Sequence, residues 1–398
     1  MRTFVKIMIA AIALTALSLF AQAEQRTTVE KRLSSNPTVA IISFEGNAAA
    51  RTKLESILAL CGWFAPASNP EKADVKIQGR CRKEGNLEAY VVGLGNAFST
   101  AHNAESTNVA VYQTVDEILS RLFKVPSLCM QKIYFVQSGN NGMKEIYACY
   151  LDGTGLERVT FNDAISTEPD FGHRNTLVYT LAKNNSLCIV LSDLANKRQA
   201  VVSRARGLNS SAALFYDGSK LALPMSLDNQ VDLYIVDLKG RARTRLTNDK
   251  NVESSPTWSK DGNSICYVSD RYGVPMLFVR NLLKNTEMRL VQGAQECVSP
   301  DWSPVSNKIC FSMRASGGHR VLAVVDMADA SHAVNVIAEA DGNWETPSWG
   351  PDGRHIVCIR STNAGRTKDL YVVDSWTGDF YGITKNSKLT LPVWRPSF

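Results

Sequence analysis

One short stretch recurs along this chain, and its recurrence constrains the fold more than any single motif. Pro256 to Asp270 reads PTWSKDGNSICYVSD, a strand pattern at Thr257–Ser259, a turn at Lys260–Asn263 and a second strand pattern at Ile265–Ser269. Asp-Gly marks such a turn because both residues tolerate the positive φ that a right-twisted hairpin demands. Related stretches begin at Glu168 (EPDFGHRNTLVYTLA), Ser211 (SAALFYDGSKLALPM), Ser299 (SPDWSPVSNKICFSM) and Thr346 (TPSWGPDGRHIVCIR), and a truncated copy, LPVWRPSF, ends at Phe398. The Trp-equivalent positions Phe171, Leu214, Trp258, Trp302, Trp349 and Trp394 follow one another at spacings of 43, 44, 44, 47 and 45 residues. A period in this range with four short strand patterns per repeat is the mark of a β-propeller.

The other strands keep the same beat. Second strands start near Lys132, Thr176, Lys220, Ser264, Lys308 and His355, and third strands read IYACYLD, LCIVLSD, LYIVDLK, MLFVRNL, VLAVVDM and LYVVDSW. Fourth strands bring Thr160, Ser203, Thr247, Val291, Ala338 and Thr384 to one phase. Near-continuous apolar strands suit sheets covered on both faces. The series begins out of phase, since Lys132–Ser138 matches a second strand, and the missing first strand is the orphan at Leu391–Phe398. The expectation is a six-bladed propeller over residues 129–398, closed by the C-terminal strand so that no sheet edge stays open.

Upstream, Arg2 and Lys6 precede an apolar run from Ile7 to Phe20, and Ala21-Gln22-Ala23 fits a small-x-small cleavage site. Residues 1–23 therefore read as a cleaved signal peptide of an exported protein, with a run too short to span a bilayer. Residues 24–36 are a polar arm. Residues 37–128 read as a small α/β domain: a strand at Thr38–Phe44, a helix at Arg51–Leu60 stopped by Gly62, strands at Asp74–Gln78 and Leu87–Gly93, and a helix at Asn108–Phe123. Lys124–Gln131 is the linker. The class is α+β in two domains, the small α/β domain followed by the propeller.

Charge and motifs exclude several functions. A net charge of +6, or +4 without Arg2 and Lys6, is too weak to argue for nucleic acid or an anionic membrane. There is no G-x-S-x-G, P-loop, H-E-x-x-H or C-x-x-C, and His102, His173, His319, His332 and His355 are scattered, so no catalytic residue, metal or cofactor is expected. Cys266, Cys310 and Cys358 share one place in three repeats and read as small buried hydrophobes, whereas Cys61 and Cys81 could pair. Glu168, Glu253, Glu296 and Glu345 fall in loops at one mouth of the channel, where they could receive a cation or a basic partner or stay solvated. The tryptophan series and the Asp-Gly pairs at Asp217, Asp261 and Asp352 read as structural.

The repeat form P-x-W-S-x-D-G, followed by L-Y-V-V-D and R-L-T, is similar to that of the TolB family of the periplasmic Tol–Pal envelope system. The ending LPVWRPSF and the order TVAIISF, LALCGWFAPAS, ADVKIQG, VYQTVDEILSRLF resemble that family too. The resemblance implies a periplasmic, monomeric, non-enzymatic scaffold that supports outer-membrane integrity and division. Its partners would be the peptidoglycan-associated lipoprotein Pal at the propeller mouth and TolA at the N-terminal arm. It places the Pal contacts in loops entering each blade, here Thr167, Glu168, Ser210, Ser211, Glu253, Ser254, Ser255, Glu296, Trp344, Glu345, Thr346 and Thr390. The arm departs from the family pattern: EQRTTVEKRLSSN carries only the isolated Val29 and Leu33 where the family has a short apolar strand, so TolA engagement does not carry over residue by residue. The alternative reading is a periplasmic TolB-like enzyme or small-ligand binder that uses the central channel.

Overall fold

The computed structural model describes residues 36–397 apart from 140–141, 173–174, 205–206, 228–229 and 363. The expected signal peptide (1–23), the expected arm up to residue 35 and His173 lie outside these. The chain divides into two compact units, with the boundary between Ile118 and Leu119.

In the first unit, β1 (Thr38–Gly46) leads into α1 (Ala48–Leu60), which returns the chain through β2 (Ala65–Pro66) to β3 (Val75–Lys83), β4 (Asn86–Gly93) and β5 (Asn96–Asn103). The sheet order is β2-β1-β3-β4-β5, with β1 parallel to β3, so a crossover such as α1 is obligatory. Asn47 starts α1 by accepting the backbone N–H groups of Ala49 at 2.9 Å and Ala50 at 3.3 Å. Leu54, Ile57 and Leu58 are buried, as their helical spacing requires. Gly46 has φ +97, and a Cβ there would lie 2.1 Å from the Cys81 carbonyl oxygen, so only glycine fits. The sequence pattern does not reveal β5, because NAFSTAHN has no apolar run; it is a mostly exposed edge strand defined by its backbone pairing with β4. The helix α2 (Thr107–Phe123) contains the unit boundary, upstream of the linker expected at Lys124–Gln131.

In the second unit the strands form antiparallel sets of four. The first set takes its inner strand from the far end of the chain: Leu389–Trp394 pairs with Ile133–Ser138, aligning Trp394 with Ile133, and Lys144–Cys149 and Glu157–Arg158 follow. The second set, Ile165–Phe171 to Arg198–Ser203, is joined to the first by one parallel bridge from Lys144 to Ile165, which merges the two into a single eight-stranded sheet. The third set runs from Ala213–Leu214 to Arg243–Arg245, and the fourth from Glu253–Trp258 to Thr286–Arg289. The fifth runs from Cys297–Trp302 to Val334–Ala338, and the sixth from Asn343–Trp349 to Phe380–Gly382.

The core of this unit lies in seams between sets. Tyr134, Ile146 and Val393 of the first set pack on Phe171, Leu177 and Tyr179 of the second. Val178 and Ile189 meet Leu214 and Leu221 of the third. Apolar residues of the third, fourth and fifth sets form one continuous cluster around Trp258 and Trp302, and Cys310 and Leu322 of the fifth set pack on Trp344 and Trp349 of the sixth. Cys266, Cys310 and Cys358 are fully buried here, which fits their role as small hydrophobes. None of the nine cysteines is in a disulfide, so the pairing of Cys61 with Cys81 does not form.

The matching phase of the fourth strands has a chemical cause. Thr160, Thr247 and Thr384 each accept the backbone N–H of a third-strand residue, Ile146 at 2.9 Å, Leu233 at 2.9 Å and Leu370 at 3.0 Å. Each hydroxyl then donates to the acid just before that residue, Glu145, Asp232 or Asp369. The threonine thus satisfies one buried donor and one buried acceptor together.

Deleting residues 391–398 removes most of the inner strand of the first set and strips the edge of Ile133–Ser138. We expect the truncated protein to aggregate or to lose cooperative thermal unfolding; a melt indistinguishable from that of the full chain would contradict the pairing.

Candidate functional site

Each inner strand carries an irregularity where it enters the repeat. Glu168, Ser211, Ser255, Ser299, Thr346 and Leu391 all have φ between +46 and +53, and all but Ser211 precede a proline. Left-handed backbone is uncommon for residues other than glycine. Its recurrence at one repeat position reflects a β-bulge, visible as a register shift in the second, fourth, fifth, sixth and first sets. The bulge turns each strand into a central cavity of about 240 Å³, lined by these residues, the prolines that follow them and the Trp-equivalents.

The residue before each Trp-equivalent reaches the next set: Asp170 accepts the backbone N–H of Leu214 at 2.9 Å, Thr257 that of Trp302 at 3.0 Å, Asp301 that of Trp349 at 2.6 Å and Ser348 that of Trp394 at 3.2 Å. Ala213 has no side-chain acceptor, and there the indole N–H of Trp258 donates to the Ala213 carbonyl at 3.0 Å. Asp170 and Asp301 sit deep in the cavity wall. Burial pushes the Asp170 carboxyl up to about 7, against the pull of the Leu214 N–H, and the Asp301 carboxyl up to about 6.

The mouth carboxylates are committed inside the protein. Glu168 accepts from the Thr180 hydroxyl and from the Ser211 backbone N–H, both at 2.7 Å. Glu253 is fully buried between Thr247 at 2.9 Å and Ser269 at 3.1 Å, and burial pushes it up to about 7. Glu296 is gripped by Arg314 at 2.8 Å and Arg320 at 2.5 Å; their hydrogen bonds outweigh burial and hold it below the usual range. Glu345 takes Lys368 at 3.1 Å and Ser361 at 3.2 Å. Sequence reasoning missed these partners because Thr180, Arg314, Arg320 and Lys368 lie on other strands. The four carboxylates are hydrogen-bonded structural groups, neither solvated loop charges nor an open acidic rim.

Of the twelve mouth positions, Thr167, Glu168, Ser210, Ser211, Ser254, Ser255, Glu296, Glu345, Thr346 and Thr390 are half-buried. Glu168, Ser211, Ser255 and Thr346 among them line the cavity. Trp344 and Glu253 are buried, so neither side chain is presented at the surface; Trp344 packs edge-on against Tyr371 and Phe380. The histidines do not converge: His102 sits 3.0 Å from Glu117, His355 sits 2.6 Å from Asp352, and His319 lies 3.6 Å from Glu339.

The model of the TolB beta propeller domain matches residues 126–397. The chain belongs to that family. A Tol-Pal system protein TolB of Desulfosudis oleivorans is 28% identical over 113 residues, 28% of this chain and 25% of the relative, so the match spans about a quarter of that protein's length. The fold is that of a crystal structure of TolB from Acinetobacter baumannii, at a TM-score of 0.80 and 19% identity over 91% of this chain and 97% of that one. A putative TolB from Agrobacterium tumefaciens aligns at a TM-score of 0.51 and 16% identity over 64% of this chain and 88% of that one. The TolB-type repeats therefore build a β-propeller, and no helix among the described residues is long and apolar enough to cross a membrane.

The raised carboxyls of this TolB-family propeller set the sign of its pH dependence. Asp170, Asp301 and Glu253 bind protons more tightly folded than unfolded, so their ionisation costs stability as pH rises from about 4 to about 7. We expect the protein to melt at a higher temperature at pH 5.5 than at pH 8. Asp170→Asn keeps an acceptor for Leu214 and should lower the stability–pH slope in that window by about one proton. An unchanged slope would show that Asp170 is ionised throughout.

Proposed function

We propose that this chain is a non-enzymatic scaffold of the Tol–Pal system, working in the periplasm after removal of residues 1–23. In this reading the six four-stranded sets are blades of one closed ring over residues 129–398, preceded by an α/β domain over 37–128. The ring presents its mouth to a peptidoglycan-associated lipoprotein and so contributes to outer-membrane integrity and cell division. The arm, with only Val29 and Leu33 apolar, departs from the family's apolar strand, so TolA is left out of this reading.

The observation that carries the reading is the ring of left-handed residues ahead of the prolines. Six equivalent left-handed residues, five of them at bulges, hold variable side chains at one mouth on a scaffold whose strands repeat, which is how a rigid recognition surface is built. The family match and the structural likeness to TolB support it. Because Glu168, Glu296 and Glu345 already have partners within the chain, recognition relies on shape and on the hydroxyls of Ser211 and Ser255 more than on net charge.

The test is a pull-down from detergent-solubilised envelopes with the mature protein as bait, beside a Ser211→Arg, Ser255→Arg variant whose folding is checked by circular dichroism. The native bait should recover a peptidoglycan-bound lipoprotein and the variant should not. Recovery of nothing by either bait would contradict the scaffold reading and favour a small ligand in the cavity beside Asp170 and Asp301.

A further inference from the structure

The position two residues beyond each Trp-equivalent lies in the turn at the far end of the inner strand. In the third, fifth and first sets that position is Tyr216, Pro304 and Pro396, and all three line the cavity. In the fourth and sixth sets it is Lys260, which is exposed, and Pro351, which does not line it. Among the described residues, the floor is thus built from the third, fifth and first sets. A proline ring stays close to its own backbone, whereas a tyrosine reaches several ångströms further.

Tyr216 uses that reach. Its hydroxyl donates to the Trp302 carbonyl at 3.1 Å, joining the third set to the fifth and skipping the fourth. Seam contacts join consecutive sets, so a bond that skips one runs across the channel side of the wall. The neighbouring residue fixes where the ring begins. Phe215 packs on Trp258 with centroids 5.3 Å apart, and it covers Gly262 so closely that a Cβ there would lie 2.5 Å from its ring. The Leu214 N–H is held by Asp170. Tyr216 lines the same cavity as Asp170 and Asp301, and burial, with the charges of those two carboxylates, raises its phenol well above the ordinary range.

We propose that Tyr216 plugs the channel at its turn end, so that the cavity is a socket reached from the mouth alone. A group that enters between the left-handed residues meets Asp170, Asp301 and then the tyrosine, and it cannot pass through. The inference concerns access to the cavity and holds whichever partner or ligand uses the mouth.

The described cysteines are all buried, so a single half-buried thiol introduced at the cavity mouth as Ser255→Cys can be biotinylated selectively and the mouth then capped with streptavidin. Acrylamide quenching of tryptophan fluorescence reads access, because Trp258, Trp302, Trp349 and Trp394 line the cavity. With Tyr216 in place the cap should lower the quenching constant, since no second route remains. Tyr216→Phe should behave alike, because the ring and not the hydroxyl fills the space. Tyr216→Ala should restore the uncapped value. If the cap leaves quenching unchanged in the Tyr216 protein, the turn end is open and the proposal fails; that comparison needs no Tyr216 variant and so survives a failure of the alanine variant to fold.

Discussion

Much of the second unit depends on one hydrogen bond repeated around the cavity: the backbone N–H of a Trp-equivalent donated to a side chain of the preceding set. A buried hydrogen bond of this kind contributes on the order of 1 kcal/mol, more when the acceptor is charged, and leaving the N–H without a partner would cost more. The apolar seams supply most of the attraction between sets but do not fix how far one slides on the next. The bonds from Asp170, Thr257, Asp301 and Ser348 do. They set the height of four of the six inner strands and so help to bring the left-handed residues to one level at the mouth. The acceptors also form the cavity wall, so a structural requirement places two carboxyls in a site with little water.

That double duty has a cost visible in Asp170 and Asp301. A threonine or serine makes the same bond without a buried charge, as Thr257 and Ser348 do. Where aspartate is used, burial raises its pKa, and the seam strengthens on protonation. On the acid side Asp352 works in the opposite sense: burial is outweighed by His355, which holds the carboxyl down to about 2, so its contribution is lost only as pH falls below about 4. Between these limits these shifts favour a mildly acidic optimum of stability.

The repeat was legible in the sequence because each of its elements has a local cause. Asp-Gly turns, tryptophans at a fixed interval and apolar third strands are all set within a few residues. The pairing of Leu389–Trp394 with Ile133–Ser138 could be inferred as well, since an orphan first strand and a missing first strand match in kind. Features set by residues distant in sequence were not legible. The edge strand β5 has no apolar signature of its own and exists through its bonds to β4. The carboxylates at the mouth read as free until Arg314, Arg320, Lys368 and Thr180 are brought beside them by strand pairing. Trp344 looks like a loop aromatic in the sequence but is buried against Tyr371 and Phe380. Cys61 and Cys81 invite a disulfide by composition, yet both are single buried thiols.

The central claim is that the last strand of the chain closes the ring and is as much a part of its core as the strands it joins. Native-state hydrogen exchange tests this directly. The account predicts that amides of Leu389–Trp394 and Ile133–Ser138 exchange together, at the rate set by global unfolding, alongside those of Ile265 and Cys266. Fast exchange of both strands under conditions where the fourth set stays protected would contradict it, since the ring would then be held without its closing strand.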